Sequence, residues 1–238
     1  MVGCESPVCL SENPKDKRLR SSVLVRINGK TLVIDCSPDF RQQMLRENVK
    51  QADAILFTHA HRDHTGGLDD IRGFNYTMKK AMPLYMNRET CDTLKKHYEY
   101  IFNGNDYPGI PKVDIHIIDN HPFIVEGIEV RPVEVLHHRM RVFAFRIEDF
   151  TYITDANFIH HDEKKKIAGS KVIVINALRK DPHISHYNLK QAIEVIRELN
   201  PQKAYLTHIS HQLGFHDEVN RELPENIEVA FDGLRVEV

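Results

Sequence analysis

The chain has 238 residues, 41% of them hydrophobic and 28% charged, a globular composition long enough to bury a sizeable core. Its formal net charge of −2 provides no overall basic field to gather nucleic acid, so a nucleic-acid partner is not expected. No segment supplies the ~18 apolar residues of a membrane span, and Met1–Leu10 lacks the positive start and apolar core of a secretory signal, so the expected home is the cytoplasm. Four cysteines are too few for a disulfide scaffold, whereas fifteen histidines direct attention to metal or acid–base chemistry.

In chain order, Ser22–Ile27 and Thr31–Ile34 read as strands, and Asn28-Gly29 between them is a tight hairpin signal. Pro38–Glu47 reads as a helix opened by a Ser-Pro start. Ala54–Phe57 is a buried-strand run, and Leu68–Phe74 is helical after a Gly-Gly turn. Arg88–Tyr100 is an amphipathic helix, and the Pro/Gly-rich stretch Asn103–Pro111 is a surface loop. Strands follow at Gly127–Val135, Val142–Ile147, Tyr152–Thr154, Lys171–Ile175, Ala204–Thr207 and Ile227–Phe231. Asn188–Leu199 puts Leu189, Ala192, Ile193, Val195, Ile196 and Leu199 on one helical stripe, and Asn200-Pro201 ends it. Strands in bunches and then alternating with helices predict an α/β plan with mixed sheet pairing. With no repeat and no linker, a single domain over 1–238 is expected.

The strongest chemical signal follows the strand at Ala54–Phe57. Within the run Thr58–His64 stand His59, His61, Asp63 and His64, after which Thr65-Gly66-Gly67 turns the chain into a helix. Ligands at the carboxyl end of a strand lie where α/β folds place their sites. His59 and His61, two apart in extended backbone, point the same way. Asp63 and His64 come one turn later and address a second position. Imidazole pairs with a carboxylate nearby suit Zn²⁺ or Mn²⁺.

His-x-His-x-Asp-His at a strand end resembles the signature of the metallo-β-lactamase superfamily. That resemblance implies an αββα sandwich, two mixed β-sheets with helices on the outer faces. It also implies further ligands in a set downstream order. His137, after the strand ending at Val135, matches the third metal histidine, with the adjacent His138 as the competing choice. Asp155, after Tyr152–Thr154, matches the metal-bridging aspartate, and His208, after Ala204–Thr207, matches the last histidine. The implied centre holds two divalent cations, Zn²⁺ or Mn²⁺. His59, His61 and His137 serve one and Asp63, His64 and His208 the other, with Asp155 and a hydroxide bridging them. In-line attack of that hydroxide on an ester is the implied chemistry.

Asp16–Ser22, Asp35–Arg41, Ser185–Asn188 and Thr207–His211 are similar to segments of the PhnP family of phosphodiesterases, which open phosphoribosyl cyclic phosphates in the carbon–phosphorus lyase pathway. This narrows the expected reaction to hydrolysis of a small phosphate diester, cyclic or open, with His186 and Asp63 as catalytic residues. His186 would protonate or stabilise the leaving oxygen; Arg41 and Arg179 are weaker candidates for phosphate contact. A carbon-ester or thioester hydrolase is the alternative, and an RNA-processing nuclease a further one, although no long basic arm is present. Relatives also carry a structural zinc, for which Cys4, Cys9 and His211 are the matching residues, with Ser6 where a middle cysteine would stand. The chain is expected to lack the family's usual first strand, and a homodimer is left open.

Overall fold

The structure, a computed structural model, describes residues 1–103 and 107–238. The loop expected over Asn103–Pro111 therefore lies in part outside the described residues. The chain divides into two compact units, Arg20–Ile128 and Met1–Leu19 with Glu129–Val238.

In the first unit, β1 (Val23–Ile27), β2 (Lys30–Ile34), β3 (Ala54–Leu56), β4 (Met82–Met86) and β5 (Val113–Ile117) form a sheet in sequence order. β1 and β2 pair antiparallel and the remaining pairs are parallel. Asn28 and Gly29 take φ of 50° and 74°, the two left-handed residues a tight hairpin turn needs. β3 is buried throughout, as a central parallel strand must be, which is why it reads as an unbroken apolar run. Helices Phe40–Arg46 and Arg88–His97 cover the sheet with Phe40, Met44, Cys91 and Leu94. The single helix expected over Arg88–Tyr100 breaks at Tyr98 into a second short helix, Glu99–Phe102. Strands β4 and β5 carry little sequence signal: Pro83 lacks an N–H, and Val113–Ile117 alternates with Asp114 and His116. β6 (Phe123–Val125) closes the unit's strands.

The second unit contains β7 (Ile128–His137), β8 (Met140–Ile147), β9 (Phe150–Ile153), β10 (Phe158–Ile159), β11 (Val172–Asn176), β12 (Lys203–Thr207) and β13 (Ile227–Val229). They run β10-β7-β8-β9-β11-β12-β13 across the sheet. β7, β8 and β9 alternate in direction, and β9, β11, β12 and β13 are parallel. β7 and β9 flank β8 and so point the same way. The carboxyl ends of β7, β9, β11 and β12 consequently share one edge of this sheet.

Helix Leu189–Leu199 buries Ala192, Val195 and Ile196 against Ile173, Ile175 and Leu206, with Leu189, Ile193 and Leu199 partly buried beside them. Each fully buried Ile or Val contributes about 1.5–3 kcal/mol. The helix starts where a capping box permits it. Asn188 Oδ1 accepts from Gln191 N–H at 2.9 Å, and Gln191 Oε1 accepts from Asn188 N–H at 3.0 Å. Asn200, with φ of 48°, ends it. Asn188→Ala removes half of this box and is expected to cost about 1 kcal/mol, a Tm decrease of about 2–4 °C. Thermal denaturation followed by circular dichroism measures it, and an unchanged Tm would show the cap to be idle.

Candidate metal centre

In the first unit the histidine run leaves β3 and enters the short helix Arg62–Thr65, with His61 at its N-cap. The turn that follows is built against the segment after β2. Cys36 N–H donates to His64 O at 2.8 Å, and Gly67 N–H donates to Cys36 O at 2.9 Å. A Cβ on Gly67 would stand 2.2 Å from Ser37 O, so only glycine permits this approach. The sequence Gly66-Gly67 is thus a packing requirement that presses the histidine turn onto residues 35–38.

That contact brings Asp35 into the site, a residue whose role the sequence does not announce. Asp35 is fully buried and has φ of 65°. Its Oδ1 accepts from Thr58 N–H at 2.9 Å, its Oδ2 accepts from Thr58 Oγ1–H at 2.8 Å, and its Oδ2 lies 2.7 Å from His64 Nδ1. A carboxylate only accepts, so His64 must carry its proton on Nδ1 and leaves Nε2 as a lone-pair donor. Thr58 spends its one proton on Asp35. His59 Nδ1, 3.0 Å from Thr58 Oγ1, must therefore donate to it, which again leaves Nε2 unprotonated. The two imidazoles stand 4.4 Å apart, and the His61 ring is 4.5 Å from that of His59. Asp63 Oδ2 is 3.5 Å from His64 Nε2. Tautomers held this way, with the ligating nitrogen opposite a carboxylate or hydroxyl partner, are how proteins prepare metal-binding histidines.

In the second unit the shared strand edge gathers His137, Asp155, His186 and His208. Asp155 is 2% exposed, has φ of 55°, and its Oδ2 accepts from Thr154 Oγ1–H at 2.8 Å. His208 Nε2 lies 3.4 Å from Asp155 Oδ2, and His137 Nε2 lies 4.0 Å from Asp155 Oδ1. His137 Nδ1–H donates to Ser185 O at 2.8 Å, which fixes its tautomer in turn. His138, with φ of 56°, donates its backbone N–H to Asn157 Oδ1 at 2.9 Å and belongs to no donor group among the described residues. The structure thus separates the two histidines that the sequence left as alternatives.

His186 joins His137 and Asp155 in one group whose donor atoms lie within 4.8 Å of one another. Its Nδ1 is 3.6 Å from Asp155 Oδ1 and its ring stacks on His208 at 5.1 Å. Nδ1 is buried with no hydrogen-bond partner among the described residues. Burial lowers its pKa to about 4 against the opposing pull of Asp155, so the ring is neutral near pH 7. His183 also stands in this cluster, 5.0 Å from the His186 ring, although the sequence did not single it out. Burial, with Arg179 and His137 second, lowers its pKa too. Arg179 is engaged elsewhere. Its guanidinium donates to the carbonyls of Asp181 and Pro182 and to Gln212 Oε1. It pins the turn that leads to His183 and His186.

A second donor group in this unit brings Cys4 and Cys9 sulfur atoms and a His211 nitrogen within 4.8 Å of one another. Ser6 stands beside them as the N-cap of helix Pro7–Leu10. Its Oγ accepts from Cys9 N–H at 3.3 Å and lies 3.2 Å from Cys4 Sγ. The hydroxyl acts as a cap, not as a stand-in for thiolate.

A family model described as beta-lactamase superfamily domain matches residues 30–209. A solved diphosphatase from the PhnP family superposes with a TM-score of 0.93 at 38% identity, covering 100% of this chain and 91% of that one. An octanoyltransferase of Porphyromonas gingivalis is 36% identical over 236 residues, 98% of this chain and 48% of the relative, so the chain spans about half the length of that curated protein. Human tRNase Z, short form, shares the fold, with a TM-score of 0.69 at 17% identity over 93% of each chain. With the superfamily model spanning residues 30–209 and the PhnP-family likeness running its full length, the chain belongs to the beta-lactamase superfamily, within its PhnP family, and has the metallo-β-lactamase fold.

Proposed function

We propose that the chain is a metal-dependent hydrolase of small phosphate diesters. His59, His61, Asp63, His64, His137, Asp155 and His208 would together hold two divalent cations, Zn²⁺ or Mn²⁺. The observation that carries this reading is the locked tautomers. Asp35, Thr58 and the Ser185 carbonyl occupy the Nδ1 side of His64, His59 and His137 and leave each Nε2 as a ligand atom. A solvated polar loop has no use for three such second partners. The superfamily match and the likeness to a PhnP-family diphosphatase support a metal-dependent hydrolase acting on a phosphate compound.

Bound cations would supply an acidified water near neutral pH and positive charge for the oxygens that gain charge during attack. The chain's own residues do the rest. Asp35 and Thr58 hold two imidazoles in the ligating tautomer, and Thr154 orients the Asp155 carboxylate. His186, neutral near pH 7, offers an N–H to a phosphoryl or leaving oxygen without adding a positive charge. This differs from a charged imidazolium, which the buried position disfavours. Cys4, Cys9 and His211 would hold a separate structural Zn²⁺ through three protein donors. The substrate is a small phosphate ester and the setting cytoplasmic.

Four outcomes test the reading. The metal-loaded protein is expected to hydrolyse bis(p-nitrophenyl) phosphate or a 2′,3′-cyclic nucleotide. A phosphoanhydride, a thioester and a cephalosporin complete the panel, and turnover of the thioester alone would overturn the phosphodiester assignment. His186→Ala is expected to lower kcat about 10²–10³-fold while elemental analysis finds the cations retained. Asp35→Ala is expected to weaken divalent-cation affinity about 10–100-fold, read by chelator competition. Cys9→Ala is expected to remove one zinc per chain and leave the other two, as measured by mass-spectrometric metal stoichiometry.

A further inference from the structure

β9 and β11 run parallel with Ile153 opposite Ile175 as their last pair. Beyond it the two strands separate. β11 continues to Asn176, which still pairs with Thr207 of β12, whereas the β9 chain swings away through Asp155 in the left-handed region. The space opened between the backbones is buried, and Asn176 is fully inaccessible to solvent. Its side chain fills the role of the missing strand. Oδ1 accepts from Ala156 N–H at 2.7 Å, and Nδ2–H donates to Ala156 O at 2.9 Å. The donor-only N–H and acceptor-only carbonyl of Ala156 decide which way the amide faces.

Ala156 O is shared. It also accepts from Tyr187 N–H at 2.7 Å, the residue next to His186. Leu178 N–H returns to Tyr187 O at 3.0 Å, and Ala177 N–H reaches Thr207 O, the residue before His208, at 3.0 Å. One peptide, Ala156, therefore links the strained turn that aims the Asp155 carboxylate to the segment that carries His186. Asn176 is the side chain that holds that peptide.

We propose that Asn176 is a positioning residue that sets the Asp155 carboxylate and the His186 ring relative to one another through the Ala156 peptide; this rests on the assignment of Asp155 as a metal ligand and His186 as the oxygen-contacting group. The chemistry of the position is narrow. A primary amide offers a donor and an acceptor at the spacing of a backbone unit. An aspartate of the same shape lacks the donor when ionised. An apolar residue strands Ala156 N–H in a dry place, and an unsatisfied buried donor is expensive.

The test uses the full chain loaded with Mn²⁺ and two variants, Asn176→Ala and the isosteric Asn176→Asp, which keeps the volume and the bond from Ala156 N–H. Mn²⁺ affinity is measured by calorimetry, and kcat and KM on whichever ester the unaltered chain turns over. Both variants are expected to bind Mn²⁺ about 10-fold more weakly or worse, with Asn176→Asp the milder. Their kcat falls about 10–100-fold and KM changes little. In the His186→Ala background the same substitution costs much less, because one of the two groups it positions is already gone. Variants that bind Mn²⁺ like the unaltered chain overturn the proposal, as does an identical kcat loss in both backgrounds. If Asn176→Ala does not fold, Asn176→Asp alone decides. An unaltered chain that rejects phosphodiesters sinks the proposed reaction only, since the Mn²⁺ affinities still test Asn176.

Discussion

Backbone in the left-handed region is costly for an L-residue, of order 1–2 kcal/mol. Asp35, His138, Asp155 and His208 all adopt it, with φ between 51° and 65°. Each stands within two residues of the end of a strand, after β2, β7, β9 and β12. A strand that ran on straight would keep alternating its side chains between two faces. A left-handed residue breaks the alternation abruptly and turns the next peptide out of the ladder. The side chain at that point is released from the sheet while its Cα remains anchored to it. Polar atoms can be aimed in this way from a rigid frame, and strain of this kind gathers at functional sites when the surroundings over-determine it.

The surroundings here are hydrogen bonds made by buried polar side chains. Asp35 satisfies Thr58 and His64 at once, Thr154 secures Asp155, and Asn176 substitutes for a strand where β9 departs. Burial makes these contacts consequential. In water a carboxylate or amide would trade one partner for another at little cost, but in a dry interior a lost partner leaves a charge or donor stranded. Positions of these donor atoms therefore inherit the rigidity of the sheets. The same burial lowers the pKa of His186.

Two proteins similar to this chain in structure, a PhnP-family diphosphatase and human tRNase Z, carry different names on one fold. A fold hosts many reactions, so specificity has to be argued from side chains. In the second unit those include His183 and His186 on a turn pinned by Arg179. The turn is held by bonds from the Arg179 guanidinium to the carbonyls of Asp181 and Pro182, and the two histidine rings stand 5.0 Å apart on a segment separate from the strands that lead to His137, Asp155 and His208.

Much of this was legible in the amino-acid order. Apolar runs ending in His or Asp marked β3, β7, β9 and β12, because parallel and central strands bury both faces and their ends are where polar residues first become tolerable. The Asn28-Gly29 turn and the helix read over Asn188–Leu199 were legible for the same reason, since each rests on contacts between residues close in sequence. β4 and β5 were not, because Pro83 and the Asp114–His116 alternation mask pairing that only neighbouring strands stabilise. Asp35, Asn176 and His183 were equally silent, and His137 could not be told from His138. The roles of Asp35, Asn176 and His137 depend on partners 20 to 48 residues away in the chain, Thr58, His64, Ala156 and Ser185 among them. Local order determined which residues could bind a metal; the tertiary hydrogen bonds decided which nitrogen of each imidazole faces outward, because a tautomer is set by whatever packs against the other side of the ring.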